Sequence, residues 1–208
     1  MGACAANRVL PAPWPRARAL RGLVLALGLL VAGPPPALSL PPSTGLSPST
    51  LLERRVKAAF LYHFAQLTRW PSGAWPEAGE PLVVAVVGED LLGEAWGEIE
   101  GKRVRGRPVV VRRHAAAGRA HGCQMVFLGP PYGEDPARVL EGVGRGVLTV
   151  SDAQGFADRG GMIELVNVAG RVRFRINQGA ARRAGLTLSA RLLHLAIEVL
   201  PGLGGGGP

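Results

Sequence analysis

The four histidines and two cysteines of this 208-residue chain are its strongest candidates for metal or nucleophilic chemistry. His121-Gly-Cys123 sets two ligand types close together, but two ligands do not complete a tetrahedral site. The pair is read as a turn followed by a small residue entering a strand. No Gly-x-Ser-x-Gly nucleophile elbow and no His-Glu-x-x-His zinc helix occurs. The one glycine-rich strand-to-helix junction, Gly88-Glu-Asp-Leu-Leu-Gly93, lacks the Gly-Lys-Ser/Thr of a phosphate loop and the three-glycine spacing of a dinucleotide site. Its two acids would also repel phosphate, so Glu89 and Asp90 are read as helix-start residues favoured by the helix dipole. An exported hydrolase has no nucleophile–base spacing behind it. The expectation is a protein that binds, with no catalytic residue, no metal and no cofactor.

Two charged sets are candidates for that binding. Arg171, Arg173 and Arg175 alternate with Val172, Phe174 and Ile176, so one face of a strand is wet and the other buried. The arginine row is either a solvated face with edge-blunting charges or a rim for an acidic surface. Glu164 is the nearest acid on the facing arm. Arg191, His194 and Glu198 stand at i, i+3 and i+7 of the last expected helix and share one face. That face is either an ordinary amphipathic stripe or the docking place of a small acidic ligand or partner.

The elements that must carry these residues follow from periodicity and punctuation. Thr50-Leu-Leu-Glu53 has the form of a capping box, and Val56, Ala59, Phe60, Phe64 and Leu67 repeat at helical spacing until Trp70-Pro71 ends the helix. Leu82-Val-Val-Ala-Val-Val87 is apolar throughout and short, as a strand covered on both faces is. A helix over 89–99 follows, then strands at 108–111 and 124–128, a helix from Asp135-Pro136 through Leu140, and a strand at 147–150. Residues 162–168 and 171–176, joined by Ala169-Gly170, form a hairpin. Asn177 caps a short helix stopped by Gly185, and Ser189 caps a last helix reaching Leu200. The fold class is α/β: one layered domain, a mostly parallel sheet flanked by helices, with a late antiparallel hairpin. The expected core is Val56, Phe60, Phe64, Val84, Val86, Val126, Leu128, Val172, Phe174, Leu192 and Leu195.

The chain's ends differ from its middle. Arg8, Arg16, Arg18 and Arg21 occur without a single acid, then an apolar run spans Gly22 to Gly33 before Pro34-Pro-Pro36. That is the layout of a secretory signal, with Ala37-Leu-Ser39 as the small-x-small exit. Residues 1–39 are therefore expected to be a signal peptide cleaved near Ser39, 40–49 a flexible lead-in, 50–200 the domain and 201–208 a disordered tail. Cys4 departs with the leader. Cys123 remains as the single cysteine, a buried small apolar group or a thiol outside any disulfide. Outside the cytoplasm, dispersed arginines do not argue for nucleic acid, and none is expected as a partner despite 24 Lys+Arg against 15 Asp+Glu.

Several segments together resemble the YfiR-like family. They are Val56-Lys-Ala-Ala-Phe-Leu-Tyr-His-Phe64 with Trp70-Pro71, Val83-Val-Ala-Val-Val-Gly88, Gly122-Cys-Gln-Met-Val-Phe-Leu128 and Leu148-Thr-Val-Ser-Asp152. The likeness is densest in Phe156-Ala-Asp-Arg-Gly-Gly-Met-Ile163, Val172-Arg-Phe-Arg-Ile-Asn177 and the stretch from Ala184 to Ala196, and spans about residues 53–200. It implies a periplasmic repressor of an inner-membrane diguanylate cyclase, acting on that enzyme's periplasmic sensor region. It also implies a second partner, an outer-membrane peptidoglycan-associated lipoprotein that sequesters the repressor, and it is compatible with a homodimer. Family members often carry paired cysteines, a pattern this chain departs from. The alternative is a periplasmic small-molecule receptor holding its ligand near Arg191 and His194 and feeding another membrane sensor.

Overall fold

A computed structural model describes residues 47–114, 122–129 and 136–201. The expected leader, most of the lead-in, His121, the Asp135 cap and the tail beyond Pro201 lie outside the described residues. No described helix is long and apolar enough to cross a membrane.

The first helix, α1 (Pro48–Leu67), begins earlier than the capping box at Thr50 implies. Ser47 is the N-cap, its hydroxyl accepting from the Thr50 amide, and Pro48 occupies the first turn, where a missing N–H costs nothing. Glu53 reaches forward to Lys57 instead of back to Thr50. The helix also stops at Leu67, three residues before Trp70, because Thr68–Arg69 (β1) pairs antiparallel with Thr187–Leu188 (β9). This pairing is non-local and left no local signature.

The main sheet has eight strands. β2 (Leu82–Gly88), β4 (Arg107–His114), β5 (Met125–Gly129), β6 (Leu148–Ser151), β7 (Ile163–Val168) and β8 (Arg171–Asn177) are joined by the two-residue β3 (Arg103–Val104) and by β10 (Glu198–Leu200). Their order is β10-β8-β7-β6-β5-β2-β4-β3. Only β7–β8 and β3–β4 are antiparallel, so the sheet is mostly parallel. β2 shows why its sequence is apolar throughout. Leu82, Val84 and Val86 join the core under α1, while Val83, Ala85 and Val87 join a second core on the opposite face, with Phe156 and Val139 of α2 (Pro136–Glu141). Where β2 and β5 end, Gly88 and Gly129 let their backbones approach so closely that a Cβ at either would overlap a neighbouring carbonyl.

The hairpin forms in the expected register. Ala169 and Gly170 both take positive φ, 50° and 75°, the two-residue turn whose twist suits a hairpin. Asn177 caps α3 (Gln178–Arg183) through the Ala180 amide, and Gly185 at φ 82° follows its end. Ser189 caps α4 (Ala190–Leu195) through the Leu192 amide.

Three expectations are corrected. Residues 89–99 are not an α-helix; a 3-10 turn covers only Gly93–Glu98, because the Asp90 carboxylate captures the Leu92 and Gly93 amides and two glycines weaken helix propagation. The last helix ends at Leu195 instead of Leu200. Ile197 and Val199 are β-branched, the Ile197 amide donates to the Phe174 carbonyl, and 198–200 completes the sheet beside β8. With that ending Leu195 leaves the core and is 54% exposed. Of the other expected core residues, Val56 and Phe60 are partly buried against the core and the rest are buried.

Candidate binding face

Strand β8 sorts its side chains onto two faces. Phe174 packs edge-on to Phe60 and Phe64 of α1, with centroids 5.4 and 5.0 Å apart. Arg171, Arg173 and Arg175 point the other way. Arg175 is consumed by the fold: Nη1 and Nη2 grip both oxygens of Asp158 at 2.8 and 3.1 Å. Nη1 also reaches Glu164 at 3.2 Å, and Nε reaches Glu198 at 2.6 Å. Glu164, the nearest acid on the facing arm, sits opposite Arg175 in register. It is buried and accepts from the Gly155 and Ala157 amides at 2.8 and 3.0 Å. The hydrogen bonds that Arg175 donates to Asp158 and Glu198 push its pKa further up, and accepting from Arg175 pulls the Asp158 carboxyl below the usual carboxylate range.

Arg171 and Arg173 are exposed and make no ion pair among the described residues. Opposite them in register stand Val168, 48% exposed, and Val166, half-buried. Directly opposed residues share a sheet face. The outer half of the β7–β8 ribbon therefore presents two cations beside two valines.

The structure separates Arg191 and His194 from this row. α4 lies on the Phe174 side of the sheet, where Arg191 lines a groove of about 230 Å³ with Phe60, His63, Phe64, Leu67 and Leu195. His194 is exposed and does not line it. Glu198, expected on the same helical face, belongs to β10 and serves Arg175. Glu198 faces the arginine side, so Ile197 and Val199, 51% and 37% exposed, face the groove side.

Sequence reasoning missed two half-buried polar anchors. Asp90 accepts from Trp96 Nε1 at 2.7 Å and from Arg113 Nε at 2.7 Å as well as from two amides. Burial works to raise its pKa, but those hydrogen bonds outweigh it and hold the carboxyl low. Lys57 bridges Glu53 and Asp152 at 2.9 and 3.0 Å, tying α1 to the end of β6. Burial opposes its charge, and the two carboxylates overcome that and raise its pKa. The available signal was rarity, since Lys57 is one of two lysines in an arginine-rich chain. Cys123 lines a polar cavity of about 510 Å³ with Trp75, Glu77, Glu80 and Arg145. Burial pushes its thiol up to about 11, so it is protonated at neutral pH and a poor nucleophile. Among the described residues no three His, Cys, Asp or Glu gather around a possible metal position.

A family model described as YfiR/HmsC-like matches residues 54–197. No curated protein matches the chain. Among solved structures, a conserved domain protein from Vibrio cholerae O1 biovar El Tor is 11% identical, with a TM-score of 0.47 over 74% of this chain and 60% of that one. The ABC domain from Streptococcus pneumonia in complex with L-Trp is 12% identical, with a TM-score of 0.38 over 57% and 55%. The chain thus spans less than two thirds of either structure.

Proposed function

The chain belongs to the YfiR/HmsC-like family, and from that premise we propose that it is an exported negative regulator of a membrane signalling enzyme. The family's setting is the periplasm and its role regulatory, directed at diguanylate cyclase. In our reading this chain sheds residues 1–39, binds the periplasmic sensor region of an inner-membrane diguanylate cyclase and represses cyclic di-GMP synthesis. The family match over 54–197 is the observation that carries the reading. The outer β7–β8 ribbon offers a place for it. Two guanidiniums that no described acid answers, beside the exposed Val168 and the half-buried Val166, suit an acidic, partly apolar surface, and Arg175 is already occupied. Repression requires tighter binding to the sensor state that keeps the cytoplasmic catalytic domains apart, since equal affinity for both states shifts nothing. An outer-membrane lipoprotein that competes for the repressor would then release the cyclase. Deletion of the gene is expected to raise cellular cyclic di-GMP; an unchanged level would contradict the reading.

The groove beside α4 favours a second, compatible reading, a small-molecule receptor. Three phenylalanine rings form its apolar wall, and Arg191 offers a charge at its side. A small acid with an apolar body suits that pairing. A thermal-shift screen of such acids against wild type and Arg191→Ala tests it. A saturable shift lost in the variant is expected, and no shift across the panel counts against it.

A further inference from the structure

Three carboxylates, Asp158, Glu164 and Glu198, share the single guanidinium of Arg175. They are not equivalent. The Glu164 side chain is 2% exposed and fixed by two backbone amides, whereas Asp158 and Glu198 are 52% and 49% exposed. Each of the exposed pair belongs to a different piece of structure. Asp158 lies in the 152–161 segment between β6 and β7, and Glu198 begins β10, a three-residue strand at the edge of the sheet. Two like charges held on one cation repel each other, and each weakens the other's claim.

We propose that Arg175 is a shared counter-ion that couples these two segments in opposite senses, so that loosening β10 tightens 152–161 and loosening 152–161 tightens β10. Both pieces also wall one cavity of about 550 Å³, with Asp158 and Arg159 on one side and Leu200 and Pro201 on the other. Pairing at the open edge of β10, or an occupant of that cavity, would thus be felt across it. A plain structural brace behaves differently, because weakening one of its ends loosens both. The coupling needs no particular partner and stands apart from the reading of the chain as a repressor.

Amide hydrogen exchange resolved by NMR on the intact protein separates the two behaviours. The reporters are the Ile197 amide, bonded to the Phe174 carbonyl, and the Gly155 and Ala157 amides, bonded to Glu164. Glu198→Gln keeps the side-chain shape and removes one claimant. It is expected to speed exchange at Ile197 and slow it at Gly155 and Ala157, each by on the order of two- to five-fold, the scale of an exposed ion pair. Asp158→Asn is expected to do the reverse. Faster exchange at all three amides in both variants would make Arg175 a brace and overturn the proposal. So would a response confined to the mutated side.

Discussion

Arg173 and Arg175 stand two residues apart on one face of one strand, in the same alternation, yet one belongs to the fold and the other to the solvent. Arg175 lies where the 152–161 segment, β7 and β10 converge, and it meets three carboxylates there. Arg173 faces Val166, and no described acid answers it. Identical chemistry is thus given opposite roles by what the chain brings across the strand. A row of like charges is a binding candidate only at the positions the fold leaves unpaid.

The largest effect should come from removing the occupied cation. Arg175→Met leaves the buried Glu164 without its counter-charge and is expected to cost about 3–5 kcal/mol in denaturant unfolding. Arg173→Met should stay within about 0.5 kcal/mol, as surface substitutions do; similar losses would erase the distinction. Phe174→Ala, between them but facing the other way, should also cost about 3–5 kcal/mol. A near-neutral result there would put the register off by one residue.

A pH series sharpens the same comparison. The folded pKa of Asp158 is depressed by Arg175, so its contribution is present above the ordinary aspartate value and lost as pH falls through the lower, folded one. Wild-type stability should therefore decline on that acid limb with a component missing from Arg175→Met but retained in Arg173→Met. Asp90, depressed by Trp96, Gly93 and Arg113, adds a separate component on the same limb that Asp90→Asn removes. The smallest change concerns the turn beside the row. Ala169 holds φ 50°, a region that costs a non-glycine residue about 1–2 kcal/mol, so Ala169→Gly should stabilise by roughly 1 kcal/mol in the same unfolding assay.

What could be read in advance was local. The unbroken apolar run of β2 announced burial on both faces. Ala169-Gly170 and the alternation of β8 announced the hairpin and which face of it is buried, and Glu164 was legible as the nearest acid to the arginine row, though not as the partner of Arg175 in particular. Asn177 and Ser189 announced their caps. The rest depended on contacts distant in sequence. Thr68–Arg69 became a strand because Thr187–Leu188 was there to pair with it. Glu198 left its helical face because β8 had an open edge. Glu89 and Asp90 looked alike as helix-start acids, and only folding showed that Trp96 and Arg113 converge on Asp90. For the same reason the sequence could not say how the two charged sets lie relative to each other; α4 and the arginine row occupy opposite faces of the sheet.

The central claim is that the unanswered end of the row, Arg171 and Arg173, is where the regulated partner docks. Its most direct test is the association rate of the purified protein with the cyclase's periplasmic sensor region, for wild type and for Arg171→Glu/Arg173→Glu at several salt concentrations. The account predicts slower association for the variant with unchanged unfolding, and a difference that shrinks as salt rises, because exposed charges are screened within about 10 Å at 0.1 M. Equal association rates at low salt would contradict it.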